Sequence, residues 1–240
     1  MNILLCNDDG IFSEGLKSLA NILKREHTVT VVAPSGNRSG FSRSISFYKD
    51  LTVQKVDAID GVECYSMSGT PTDCVKFAIL TLGIKFDLVV SGINNGSNLG
   101  SDIYYSGTVG ACFEANFFKI PAIAFSSVQV NADYSVVSKI VEDVLPNLLT
   151  KLDGETTLNV NIPSTKKGYN GVKYCFVGIN KYSDGYMKVN EDVYQLVGKP
   201  IPPTESDFGS DVYYSYKGFV TISPLKNVLT DHSTLSEFNK

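Results

Sequence analysis

Hydrophobic and polar residues along the first half of the chain fall into blocks of strand length and helix length. Ile3-Leu4-Leu5 predicts a short buried strand over residues 2–6. Residues 14–25 place Leu16, Leu19, Ala20 and Leu23 on one helical face. Thr28 to Ala33 (TVTVVA) is rich in β-branched residues and predicts a second strand. Residues 51–56 and 62–67 predict two more strands, joined by a turn at Asp60-Gly61. Thr70-Pro71-Thr72-Asp73 is a helix-start signal: Thr as N-cap, Pro in the first helical position, Asp in the first turn. That helix should run to about Leu82. Phe86 to Ser91 (FDLVVS) is a continuous apolar strand of the kind a parallel sheet buries on both faces. A Gly/Asn/Ser-rich loop should span 92–106, followed by a helix over 108–118 and a strand over Ala122–Phe125. Residues 133–150 read as an amphipathic helix interrupted by Pro146. This alternation predicts a Rossmann-like, three-layer α/β/α core with a mainly parallel sheet over about residues 1–150.

Beyond residue 150 the pattern changes. Leu158–Ile162, Gly171–Ile179, Tyr186–Val189, Tyr213–Ser215 and Phe219–Ser223 look strand-like, and the proline-containing stretch 198–211 reads as a loop. A β-rich C-terminal extension over about 151–240, suited to partner contacts, is the expectation.

Composition narrows the class. At 240 residues, with 43% hydrophobic and 19% charged positions, the chain has core material for one large globular domain. A net charge of −4 without a basic stripe gives no electrostatic footprint for duplex nucleic acid. No stretch approaches the ~18 apolar residues of a membrane span. The five cysteines form no C-x-x-C pair and mostly lie in apolar stretches, as buried reduced thiols do. No basic segment followed by a longer apolar run suggests a signal peptide. A cytoplasmic location is expected.

The candidate chemistry lies in four loops at the carboxyl edge of the predicted sheet. The first is Asn7-Asp8-Asp9-Gly10, directly after strand 1. Two adjacent carboxylates repel, and a hard divalent cation relieves that repulsion. The second loop is Pro34-Ser35-Gly36-Asn37-Arg38-Ser39-Gly40, and the third is Gly92-Ile93-Asn94-Asn95-Gly96-Ser97-Asn98. Asn side chains supply neutral oxygen ligands for such ions. The fourth, Tyr105-Ser106-Gly107-Thr108-Val109-Gly110, offers backbone N–H groups at a helix start, a natural phosphate cradle. Taken singly, Asp-Asp-Gly, Asn-Asn-Gly and Ser-Gly-Thr are ordinary turn and cap sequences. Their placement after successive strands points to metal-assisted attack on a phosphate ester. The chain lacks a G-x-S-x-G elbow, a P-loop and a dinucleotide G-x-G-x-x-G fingerprint. His27 reads as structural at a helix end, and His232 as part of a solvated tail. A response-regulator phosphoacceptor is disfavoured, because FDLVVS ends in Ser-Gly-Ile-Asn-Asn and AIAFSS lacks a following Lys.

NDDG, APSGNRSG, SGTPTDCV, VSGINNGSNLG and YSGTVGA, in that order over roughly residues 1–130, resemble the SurE (stationary-phase survival protein) family. The resemblance implies one SurE-like domain over 1–240 and a metal-dependent phosphatase of nucleoside 5′-monophosphates. Nucleoside 3′-monophosphates and short polyphosphate are further candidate substrates. It implies one divalent cation per subunit, Mg²⁺ or Mn²⁺ in preference, with Ca²⁺ able to occupy the site. It also implies a homodimer or homotetramer formed through the C-terminal extension. The implied metal ligands are Asp8, Asp9, Ser39 and Asn95. Asn94, Gly96, Ser106, Gly107 and Thr108 would line the phosphate pocket, with Asn7 supporting the acids through hydrogen bonds. Asp8 and Asp9 are the expected catalytic residues, Asp8 being the preferred proton acceptor. Water and an aspartate both remain open as the nucleophile. A non-catalytic nucleotide- or metal-binding regulator on the same fold is the alternative from another class.

Overall fold

The computed structural model describes residues 1–163 and 168–238. Its first strands and helices are β1 (Asn2–Cys6), α1 (Glu14–Leu23), β2 (Thr28–Pro34), β3 (Val53–Lys55), β4 (Glu63–Met67) and α2 (Pro71–Thr81). Next come β5 (Leu88–Asn95), α3 (Gly107–Phe117), β6 (Ala122–Ser127), α4 (Tyr134–Leu149) and β7 (Thr156–Ile162). The chain then forms β8 (Val172–Tyr174), β9 (Gly185–Asn190), β10 (Val193–Val197), α5 (Asp211–Tyr216), β11 (Val220–Lys226) and α6 (His232–Phe238).

A 9-stranded sheet has the order β3-β4-β2-β1-β5-β6-β7-β11-β8. It is parallel from β4 through β7, with β3 and β11 antiparallel to their neighbours β4 and β7. Strand alternation sends successive β1 residues to opposite faces. Ile3 and Leu5 pack with α1 and α4 residues such as Leu16, Leu19 and Val141. Leu4 and Cys6 pack with α2 and α3 residues such as Cys74, Val75 and Val109. The result is the expected three-layer α/β/α arrangement, and each fully buried Leu or Ile contributes about 1.5–3 kcal/mol. The chain runs from β1 outward to β2 and β4, then crosses back to place β5 on the other side of β1. That reversal makes the carboxyl ends of β1 and β5 a topological switch point, where open α/β sheets bind ligands.

Several local expectations need correction. The loop expected from residue 92 is strand as far as Asn95. After an irregularity beyond Ser91, β5 resumes pairing with β6 at Asn94↔Ser126 and Asn95↔Ser127. Gly92 makes this possible: its φ is +127°, and a Cβ there would lie 2.2 Å from the Phe125 carbonyl oxygen. Pro146 does not interrupt α4. It sits on the exposed face, where water can satisfy the carbonyl its missing N–H leaves free. Tyr213–Ser215 is helical, because Ser210 caps α5 by accepting from the Tyr213 N–H at 3.1 Å. The strand-like segment Gly171–Ile179 narrows to β8. The β-rich C-terminal region divides. β7, β11 and β8 extend the main sheet, while β9 and β10 form a separate antiparallel ribbon whose residues are all exposed. The five cysteines are free and buried.

Candidate active site

β1 delivers Asn7, Asp8 and Asp9 to the switch point. Asn7 is buried and braces the turn: its amide donates to the Gly10 carbonyl at 3.1 Å and to Ser13 Oγ at 2.6 Å. Its own oxygen accepts from the Gly10 N–H at 3.2 Å. Asn7 therefore supports the acids through hydrogen bonds to the backbone and Ser13 side chain of their turn.

Asp8 is only 3% exposed. Ser106 is the N-cap of α3, its Oγ accepting from the Val109 N–H at 3.0 Å. The start of α3 so formed points at Asp8. Thr108 donates its N–H to Asp8 Oδ2 at 3.2 Å and its hydroxyl to Oδ1 at 2.6 Å. Gly107 makes the approach possible, since a Cβ there would fall 2.9 Å from Asp8 Cβ. The Ser106-Gly107-Thr108 turn, expected to hold phosphate, thus grips a carboxylate of its own chain. A helix N-terminus stabilises either anion by the same means. Burial pushes the Asp8 carboxyl up, the Thr108 hydroxyl pulls it back, and the charge of Asp9 pushes it up again, to about 6.

Asp9 stands farther out, half-buried, and burial raises its carboxyl above the ordinary value. Its Oδ2 accepts from the Asn95 N–H at 3.0 Å, which ties the ends of β1 and β5 together. Asn95 Oδ1 accepts from the Asn131 N–H at 2.6 Å, leaving its second lone pair for another partner. Asn94 donates to the Gly96 carbonyl at 2.9 Å and shapes the exit of β5. The second loop is hooked to the same place, because the Arg38 N–H donates to the Asp8 carbonyl at 2.6 Å. Ser39, next in the chain, is exposed, and Asn37 Oδ1 accepts from its N–H at 2.9 Å. A polar cleft of about 460 Å³ opens here, lined by Asp9, Ser13, Asn37, Asn95, Asn131 and Tyr134 among others.

Sequence reasoning missed the brace behind the second loop. Glu114 on α3 is buried and pairs with Lys76 at 2.9 Å and Arg43 at 3.5 Å. Arg43 also lies over the Phe117 ring at 3.9 Å and donates to Asn227 at 3.1 Å. Farther along, Asp73 accepts from both the N–H and hydroxyl of Ser46, and Thr70 donates to the Ser44 carbonyl. A Glu inside the otherwise apolar run of α3 was the available signal. His232 opens α6 on the exposed surface, in keeping with a solvated tail.

The residues present fit a hard divalent cation. Two carboxylates meet at one edge, neither has a Lys or Arg ion-pair partner among the described residues, and the cleft beside them adds the neutral oxygens of Ser13, Asn37 and Asn95 and the carboxylate of Glu14. The described residues hold no cluster of three or more His, Cys, Asp or Glu able to bind a metal, so Ser39 and Asn95 would have to complete the shell.

These features define a class, a Rossmann-like α/β protein with an acidic pair at its topological switch point. The chain belongs to the SurE family: the family model described as survival protein SurE matches residues 3–184. The chain is 40% identical over 246 residues to the 5′-nucleotidase SurE of Thermoanaerobacter sp. (strain X514), covering 100% of this chain and 97% of that one. It is 39% identical over 250 residues to the 5′-nucleotidase SurE of Clostridium botulinum (strain 657 / Type Ba4), covering 99% and 97%. The crystal structure of the SurE protein from Aquifex aeolicus matches with a TM-score of 0.86 at 33% identity, covering 100% of this chain and 98% of that one.

Proposed function

We propose that this chain is a divalent-cation-dependent 5′-nucleotidase that hydrolyses nucleoside 5′-monophosphates at the Asp8–Asp9 site. One observation carries the reading. An acidic pair stands at the switch point, gripped by Thr108 and tied to Asn95, in a chain matched end to end by relatives named 5′-nucleotidase. Asp8, Asp9, Ser39 and Asn95 would hold the ion. When bound, such an ion polarises a phosphoryl oxygen and lowers the pKa of a water.

The chain's own residues supply the remainder. Both Asp8 oxygens are engaged by Thr108, which favours Asp8 as a fixed ligand and disfavours it as a covalent nucleophile. Asp9 lines the cleft and is the carboxylate better placed to take a proton from an attacking water. Asp9 thus replaces Asp8 as the preferred base. Asn94, Gly96 and Ser106-Gly107-Thr108 form the surrounding frame, and positioning with electrostatics dominates phosphoryl transfer. The exposed β9–β10 ribbon, with Tyr186, Met187, Tyr194 and Leu196, supports self-association as a homodimer or homotetramer. Five free thiols suit a reducing cytoplasm, and among the described residues no helix is long and apolar enough to cross a membrane.

The test is phosphate release by EDTA-stripped protein with Mg²⁺ or Mn²⁺ restored. The panel holds nucleoside 5′- and 3′-monophosphates and short polyphosphate. Metal-dependent release from 5′-monophosphates, abolished by Asp8→Asn, is the expected result. No release with any metal from folded protein would favour the binding regulator instead.

A further inference from the structure

β7 carries two asparagines, although every one of its residues is buried. Leu158, Val160 and Ile162 alternate onto the face that packs against α1 and α4. Thr157, Asn159 and Asn161 therefore point to the other face, and Asn159 and Asn161 are both 0% exposed. A buried amide without hydrogen bonds is costly, so each of these side chains needs a partner.

Both find it in one residue, Asn98. Asn161 Oδ1 accepts from the Asn98 N–H at 2.8 Å, and Asn161 Nδ2 donates to the Asn98 carbonyl at 3.1 Å. A single side-chain amide thus pairs with both backbone groups of one residue, as a neighbouring antiparallel strand would. Asn159 Nδ2 donates to the same carbonyl at 2.8 Å. The Asn98 side chain completes the clasp by donating to Ser126 Oγ on β6 at 2.8 Å.

Asn98 lies on the segment that links the parts of the acidic site. Three residues upstream is Asn95, whose N–H donates to Asp9. Downstream, the Tyr104 carbonyl accepts from the Ser42 hydroxyl at 2.6 Å and the Tyr105 carbonyl from the Ser42 N–H at 3.0 Å, which fastens the loop carrying Ser39. The segment ends at Ser106, the cap of the helix whose start grips Asp8.

We infer that Asn161, with Asn159 beside it, is a positioning residue for the cation site, acting through Asn98 to hold Asn95, the Ser39 loop and the start of α3 against the Asp8–Asp9 pair. The inference rests on the metal-dependent reading proposed above and adds to it residues that touch neither ion nor substrate. Groups that orient metal ligands from outside weigh on affinity, and losing one typically costs about 10–100-fold in metal binding.

The test is calorimetric titration of EDTA-stripped protein with Mn²⁺ in the absence of substrate, with kinetics alongside. Asn161→Leu keeps the size of the side chain but leaves the Asn98 N–H unpaired. Its Kd for Mn²⁺ should rise about 10–100-fold, and the metal concentration for half-maximal phosphatase activity should rise in parallel. Thr157→Val is the control. Thr157 lies on the same face of β7 and donates to Asn116 Oδ1 at 2.6 Å, away from Asn98. That variant should lose stability in urea yet bind Mn²⁺ as wild type does. Equal Mn²⁺ affinity in wild type and Asn161→Leu, or equal losses in the two variants, would overturn the inference and leave the cation reading intact. Wild type gives a second check that survives a failure of Asn161→Leu to fold. By amide hydrogen exchange, the Asn98 N–H should be as protected as the paired amides of β6, and exchange at the rate of an open loop would overturn the clasp. Failure of stripped wild type to bind Mn²⁺ would overturn the cation reading and the inference with it.

Discussion

Thr108 donates to both carboxylate oxygens of Asp8, by its N–H to Oδ2 at 3.2 Å and by its hydroxyl to Oδ1 at 2.6 Å. The contact joins residues 100 positions apart and holds a buried carboxylate in place. Charge-assisted bonds of this kind are about twice as strong as neutral ones.

Thr108→Val keeps the shape and removes the hydroxyl, so Asp8 loses its shorter bond. Turnover should fall roughly ten-fold, the equivalent of about 1.4 kcal/mol. Thr108→Ser restores the donor and should stay within about two-fold of wild type. Steady-state kinetics of the two variants at saturating metal check this; equal losses would deny the hydroxyl its positioning role.

The Asp8 carboxyl is raised from 3.8 to about 6, with burial the largest cause. A carboxyl raised on folding holds its proton more tightly in the native state. Its stabilising contribution is present at low pH and is lost as pH rises from the ordinary value through about 6. Above that, the ionised group costs metal-free protein on the order of 3 kcal/mol. Asp8→Asn should therefore be the more stable protein in EDTA at about pH 8, with the gap closing towards about pH 4. Urea titrations at both pH values measure it; a wild type as stable as the variant at the higher pH would refute the buried-charge account.

Metal should reverse that order. Mg²⁺ or Mn²⁺ added to stripped wild type should raise Tm, because a ligand that binds only the native state stabilises it. Asp8→Asn and Asp9→Asn should show little rise and no phosphatase activity. Ser39→Ala should raise the metal concentration for half-maximal activity by roughly ten-fold, the loss of one oxygen ligand. Calorimetric scans with and without metal decide the first point.

Gly107→Ala should damage the site while sparing most of the fold. The added Cβ would lie 2.9 Å from Asp8 Cβ and 3.0 Å from Asp8 Oδ2. Asp8 must shift, so activity should fall by at least about 100-fold, as a 1 Å misplacement of a catalytic group does. Circular dichroism alongside kinetics separates this from unfolding.

Glu114→Ala removes the buried partner of the part-exposed Arg43 and Lys76 and should cost about 1 kcal/mol. The same change loosens the loop carrying Ser39, so the metal requirement should rise together with the loss of stability. Chemical denaturation and a metal titration of activity read the two effects separately.

The elements of the α/β core were legible because their periodicity is local: TVTVVA and FDLVVS could hardly pack as anything but buried strands. The Thr70-Pro71-Asp73 start appears as a capping box with Pro in the first turn, because those side chains act on their own backbone. Tyr213–Ser215 was misread because aromatic, β-prone residues outweighed the Ser210 cap. The reach of β5 to Asn95 was hidden because Gly92 and the asparagines spell a turn, and only pairing with β6 overrides them. The acidic pair and its flanking loops could be read from position along the chain. The grip of Thr108 on Asp8 could not, since it depends on how two distant segments meet in space.

The continuation of β5 through Asn95 bears on which changes of length the chain can absorb. One residue inserted within 88–95 would displace every later β5 side chain to the opposite face and carry Asn95 away from Asp9. Residues 47–50 are exposed, and Tyr48 is fully so. An insertion there would lengthen a surface excursion and leave Ser39, fastened upstream by Arg38 and Asp8, where it stands. Family members can thus be expected to differ in length between the second and third strands and to agree residue for residue along the fifth.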